Sequence, residues 1–263
     1  MPFIELLNRI PLWSVCLFTV LLILVPIEVG FRFGRARRRR AEQAANESIG
    51  AVVGALLGLL AFLLAFTFGI ASSHFQARKQ LLLDEVNAIG TASLRAGLLA
   101  EPHRAEVQRL FREYVDLRMD MVRNPGHLHD ALVRAEAIQG ELWSHAVTLA
   151  QEDRDSDVYA IFIESLNTVF DLQTSRLTFG FQYRLPAAIW LMLYLVTAMS
   201  MLAVGYQFGL TGMRALAGVL VLAVAFSAVM LLVTDLDRPQ EGLLRVSQQP
   251  MLDLQQRLNA GGP

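Results

Sequence analysis

The sequence is poor in charge and almost without cysteine. Only 18% of its 263 residues are charged, against about 25% in ordinary globular proteins. The single cysteine, Cys16, lies inside an apolar run, which excludes an intrachain disulfide and a cysteine-cluster metal site. Neither sign of charge dominates. A net charge of -1 gives no global field that would attract nucleic acid. Strand-type alternation of apolar and polar residues occurs nowhere, so the expected fold class is all-α. The phosphate loop, the dinucleotide glycine turn, the G-x-S-x-G elbow, the H-E-x-x-H zinc pair and the kinase signatures are all missing. Nothing therefore supports an enzyme, and no catalytic residue, cofactor or metal site is assigned.

What is present is apolar residue, 54% of the chain, gathered in four runs at about 10–31, 48–72, 186–210 and 214–234. A bilayer crossing takes about 20 such residues. The reading is an integral membrane protein with four transmembrane helices, the lipid bilayer being its first partner. The first run is too long for a signal peptide, and the arginines behind it act as a stop-transfer signal. Four parts follow: spans one and two with an Arg-rich loop (1–72), a helical extramembrane segment (73–185), a transmembrane hairpin (186–234) and an amphipathic tail (235–263).

Span two has the most pattern. Residues 48–77 carry no formal charge, and Gly50, Gly54 and Gly58 recur every fourth residue, with Phe62, Phe66 and Ile70 continuing the row. Such a row forms one ridge of a helix. Small-xxx-small spacing predicts close helix packing for the three glycines, and the bulky half can pack or line a pore. The helix is expected to continue past the membrane through Leu82, Val86, Ile89 and Leu94, stopping at Gly97. That is some fifty residues, near ~75 Å at ~1.5 Å per residue.

Further helices are predicted from Pro102 (stripe Leu110, Phe111, Tyr114, Leu117, Met121), from His127 to Gln151 (Leu128, Leu132, Val133, Ile138, Leu142, Trp143, Val147) and from Asp157 toward Pro186. Asn124-Pro125-Gly126 is a turn and Ser156 an N-cap candidate. The tail, with Leu243, Leu244, Val246, Leu252 and Leu254, reads as a short helix interrupted at Pro250.

Candidate chemistry is sparse. Glu28 at the end of span one is expected to pair with Arg32 or reach the headgroups. His127 and His129 fall on different helix faces, and His145 reads as a packed or surface residue. His74 at the mouth of span two is the histidine to watch. The acidic run Glu152, Asp153, Asp155, Asp157 lacks the glycine and distal glutamate of a calcium loop. Asp235 and Asp237 stand at the end of span four, where charged residues often line an ion path.

Phe62 to Phe66 (FLLAF), followed by Gln76-Ala77-Arg78-Lys79, resembles the second span of bestrophin anion channels, where an F-x-x-G-F run leads into an E-A-R-K segment in bacterial members. Ala65 replaces the glycine, and the tryptophan pair is missing, with His74 and Phe75 nearby. The whole chain is similar to the bacterial "bestrophin-like domain" proteins through D-E-x-N-A-I-G-T-A (Asp84 to Ala92), S-L-N (Ser165 to Asn167) and D-L-D-R-P-x-x-G-x-x-x-V-S-Q-Q-P (Asp235 to Pro250). The resemblance implies a ring-shaped homo-oligomer, a pentamer, with span two around the axis and small anions passing through. Phe62, Phe66 and Ile70 would form its neck. His74, Arg78, Asp84, Glu85, Asn87, Asp235, Asp237 and Arg238 become the motif and gating candidates.

The resemblance also implies a bacterial inner membrane. Arg32, Arg35, Arg37, Arg38, Arg39 and Arg40 favour a cytoplasmic loop after span one. Arg78, Lys79, Arg176, Arg184, Arg238 and Arg245 flank the spans on the other side, so the side of the helical segment stays open. Two functions follow: an oligomeric anion channel, or a non-conducting membrane sensor or scaffold whose helical segment binds a ligand or partner.

Overall fold

The computed structural model describes residues 12–39, 46–181, 183–212, 216–238 and 242–260. Arg40 of the arginine cluster and Pro239 of the tail motif lie outside them. Every regular element among the described residues is helical: α1 (Leu12–Arg38), α2 (Asn46–Ala96), α3 (His103–Arg123), a 3-10 turn (Pro125–His127), α4 (Leu128–Glu152), α5 (Asp157–Phe181), α6 (Ala187–Thr211), α7 (Leu216–Asp237) and α8 (Gln249–Asn259). The fold is all-α, as the missing strand pattern predicts. Four helices are long and apolar enough to cross a membrane, at Trp13–Arg38, Ile49–Ala96, Ala187–Thr211 and Ala217–Asp237.

The chain forms two compact units, Met1–Phe75 with Tyr183–Arg245, and Gln76–Gln182 with Val246–Pro263. In the first, α1 packs along α6 and against α7. The α1–α6 contact is a glycine seam. A Cβ built on Gly30 or Gly34 would collide with the carbonyl oxygen of Leu202 or Tyr206, and one on Gly205 or Gly209 with that of Ile27 or Phe31. Backbone thus meets backbone, which only glycine permits. Around the seam pack Ile23, Leu60, Trp190, Leu193, Met201, Met230 and Val233, all buried. Buried hydroxyls close on their own helix: Thr19 donates to Val15 O (2.8 Å), Thr67 to Leu63 O (2.7 Å), Thr197 to Leu193 O (2.7 Å) and Thr234 to Met230 O (2.7 Å). In lipid a hydroxyl without such a partner would cost several kcal/mol, on the order of 2–7.

The expected arginine loop is helical through Arg38. Arginine is a good helix former, and its charge suits a helix C-terminus. Arg38 Nη1 also donates to Thr211 O at 3.1 Å, at the end of α6, where Gly212 adopts φ 78° as a left-handed C-cap. Glu28 and Arg32 form the expected pair at 2.9 Å.

The second unit is built around Leu82, Val86, Ile89, Phe111, Tyr114, Ile138, Leu142, Phe162 and Leu166. Both expected helices form, and their buried faces are set by small residues. Leu94 is exposed and α2 continues its buried stripe through Ala92 and Ala96, while on α4 Val133, Trp143 and Val147 are exposed and the buried face runs through Ala131, Ala135, Ile138, Leu142, Ala146 and Leu149. Alanine on these faces allows close packing, and Leu94, Val133, Trp143 and Val147 are left outside. Pro250 likewise starts α8 within its first turn and does not interrupt a helix, because proline suits a position whose N–H has no partner. Residues 242–248 ahead of it are non-helical, and Met251 and Leu254 are the buried residues of α8.

Candidate functional site

Phe62 and Phe66 stand on a face of α2 that the rest of the first unit leaves open. They are 65% and 57% exposed, with ring centroids 6.4 Å apart and planes within 17°. Gly54 and Gly58, lower on the same row, have nothing within 4 Å of a would-be Cβ, and Gly50 meets only the Gln207 amide nitrogen, at 3.4 Å. Within the chain, then, this row packs against almost nothing. Ile70 differs, being half-buried against the first unit's core. Of the apolar window of α2 only 17% is buried, against 39% for α6. A bare, apolar, aromatic ridge on a spanning helix can meet lipid, a second copy or a pore.

His74, in the first unit, is half-buried, and its Nδ1 is buried without a hydrogen-bond partner. In the second unit, Arg78 is half-buried, Asn87 is exposed, and Asp84 accepts from Gln80 Nε2 at 2.9 Å.

Glu85 is different in kind. It is fully buried on the core face of α2, one helical turn from Leu82 and Ile89. Two guanidiniums close on its carboxylate. Arg118 Nη2 lies 2.9 Å from Oε1 and 3.2 Å from Oε2, and Arg176 Nη1 hydrogen-bonds Oε2. Beside them the Tyr114 hydroxyl donates to Gln173 Oε1, which also accepts from Gln139 Nε2 at 2.6 Å. The cluster holds a buried negative charge, a buried positive charge at Arg118 and a half-buried one at Arg176. Burial opposes the charge of Arg118, and Glu85 outweighs it, so its affinity for its proton is raised. Arg176 is shifted down, by burial first, with the neighbouring Arg118 charge also lowering it. Burial pushes the Tyr114 phenol up, so it stays a neutral donor.

At the far end of α7, Asp235 accepts the backbone N–H groups of Leu243 and Leu244, both at 2.8 Å. The turn is possible because Gly242 has φ 133°, and a Cβ there would strike Asp235 Oδ1. Asp237 Oδ1 accepts Leu185 N–H at 2.9 Å. Both aspartates and Arg238 are buried, so the two carboxylates fasten backbone and are not presented to an open path.

Sequence reasoning missed Arg118, Arg176 and Tyr114. The signal existed: Arg118 falls on the stripe of Phe111 and Tyr114, where a charged residue is out of place unless paired. It also missed His103, whose Nδ1 lies 2.9 Å from His145 Nδ1, with Nε2 3.6 Å from Glu152. Burial, then the His103 charge, pull the His145 imidazole below its ordinary value. Among the described residues no three His, Cys, Asp or Glu side chains gather to hold a metal ion.

A family model, the bestrophin-like domain, matches residues 16–251, most of the chain. The protein belongs to the bestrophin-like family. No curated protein matches its sequence. Among solved structures this bestrophin-like chain is similar to a bacterial bestrophin homologue from Klebsiella pneumoniae, with a TM-score of 0.65 at 14% identity over 95% of this chain and 98% of that one. A point variant of that homologue gives a TM-score of 0.67 at 13% identity, covering 92% and 97%. A variant described only as a membrane protein gives 0.68 at 14%, covering 96% and 98%. At these identities the likeness is one of fold. The bestrophin-like motif Asp84 to Ala92 contains the buried carboxylate of the Glu85 centre, and the motif beginning at Asp235 contains the aspartates that fasten the end of α7. This is a bestrophin-type membrane protein.

Proposed function

We propose that the protein is a homo-oligomeric anion channel of a bacterial plasma membrane, with α2 facing the symmetry axis and Phe62 and Phe66 forming its neck. One observation carries the reading: the two largest side chains on the face of α2 are exposed and stacked on the span that its own chain covers least. Copies arranged around that face would bring the rings together, and a ring of apolar side chains gates by losing its water. Aromatic edges carry partial positive charge toward a passing anion. The open glycines Gly54 and Gly58 suit close approach of neighbouring copies. Ile70 is the innermost member of the row and narrows the neck only if it turns from the core. Residues 73–185 are the helical extramembrane part, and the pentamer suggested by the family resemblance is the assembly that fits.

Planar-bilayer recording of the purified protein tests this. The expectation is a chloride-permeable current that rises when Phe62→Ala and Phe66→Ala are combined. Absence of current in both proteins overturns it. Single-particle images provide the second check: a five-fold ring supports the channel, while monomers or dimers favour the non-conducting sensor or scaffold.

A further inference from the structure

Within the second unit a cavity of about 490 Å³ opens between the end of α2, the start of α3 and α8. Leu94, Ala105, Leu254 and Leu258 give it apolar walls, while Arg104, Arg112 and Arg257 supply guanidiniums and Ser93 and Gln108 uncharged polar groups. The volume lies within the range of about 300–1,000 Å³ typical of small-molecule sites. Its charges are not balanced. Glu101 pairs with Arg104 at 2.6 Å, and no other acidic residue lines the cavity. Arg112 is half-buried, and neither it nor Arg257 has an ion pair or hydrogen bond among the described residues. They approach from different helices, α3 and α8.

We propose that this cavity binds a small organic anion, a carboxylate or phosphate monoester with an apolar body. Its headgroup would lie between Arg112 and Arg257 and its carbon framework against Leu94, Leu254 and Leu258. Guanidinium forks match both headgroups with two parallel hydrogen bonds, which a chloride-sized ion cannot exploit. The site stands apart from the α2 neck, and binding to it does not depend on whether the protein conducts. It would also fasten α8. That helix rests on the unit through Met251 and Leu254 and through Gln255 Nε2 donating to Asp116 Oδ1 at 2.6 Å. An anion held by Arg112 and Arg257 adds a bridge between α3 and α8.

Calorimetry on the full-length protein in detergent, at fixed ionic strength, tests the proposal with benzoate and phenyl phosphate, and with benzyl alcohol as the uncharged counterpart. Saturable binding of at least one anion and none of the alcohol is expected, together with slower amide hydrogen exchange across α8. The double variant Arg112→Gln, Arg257→Gln weakens binding about tenfold or more, while Arg154→Gln, at an exposed arginine elsewhere in the unit, leaves it unchanged. Should the double variant fail to fold, Leu94→Glu replaces it: an exposed wall residue becomes a like charge and binding is lost. No saturable binding, equal binding in these variants, or an equal loss with Arg154→Gln overturns the proposal.

Discussion

Between α1 and α6 the backbones meet directly at Gly30, Gly34, Gly205 and Gly209, whereas α2, α3 and α5 converge on one carboxylate and two guanidiniums. Both arrangements solve the same problem, which is joining helices away from water. In the first unit the buried threonine hydroxyls satisfy themselves on their own helix, so association along the seam rests on closeness of approach. In the second, water is available to the unfolded chain, and burying charge there is acceptable only with partners in place. Small residues set geometry in one unit, and electrostatics specifies it in the other.

The comparison is most easily broken at Glu85. Glu85→Ala leaves the buried Arg118 and the half-buried Arg176 uncompensated and should destabilise the second unit by about 3–5 kcal/mol. Hydrogen exchange is expected to rise across α3 and α5 and not across α1 and α6, and equal loosening of both units would contradict it. Gly205→Leu is the counterpart in the first unit. It forces a side chain into the Ile27 backbone, for about 3 kcal/mol or more, read as a lower melting temperature in detergent with α3–α5 exchange unchanged. A smaller effect concerns pH. Because the folded-state pKa of His145 is depressed, the unfolded chain binds its proton first, so stability is full above about pH 6.5 and declines as pH falls below it. His145→Gln should flatten that slope in thermal melts between pH 5 and 7.5. The smallest effect on the single chain belongs to Gly58→Leu, which meets open space. The melting temperature of the monomer should hardly move, while cross-linking yield between copies falls if this face joins them.

The two glycine rows also show what can be read in the sequence and what cannot. The four apolar runs, the unbroken α2, the Asn124 turn and the Ser156 cap, where Tyr159 N–H reaches Ser156 Oγ at 3.4 Å, all follow from composition and local chemistry. The four-residue glycine spacing in α2 was legible as well, but spacing says only where close approach is allowed. The seam inside the chain uses Gly30, Gly34, Gly205 and Gly209, which are separated by more than 170 residues of sequence and become partners only through tertiary packing. The alanine faces of α2 and α4 escaped a search for large apolar residues, since close packing selects for small ones. Of the candidate site, the Phe62–Phe66 row was legible as a continuous ridge. The Glu85 centre was half visible, its carboxylate lying in a motif and its arginines hidden in stripes that looked merely amphipathic.

The seam has one more consequence, for how the membrane unit can move. Where the Cβ of each of the four glycines would point stands a carbonyl of the other helix, the geometry of a Cα–H···O contact. At these four positions no rotamer lies between α1 and α6 that can rearrange to let them slide, whereas further along the pair Phe18 and Tyr194 meet edge to face with ring centroids 5.3 Å apart. Gradual shear at the seam would drive backbone into backbone, so a change of register there is expected to be a jump of one turn, about 5.4 Å. The two helices are expected to travel as a single beam. Small adjustments within the first unit fall to contacts made by side chains, those of α7 and the membrane half of α2, where leucine, methionine and phenylalanine can change rotamer without unseating a backbone.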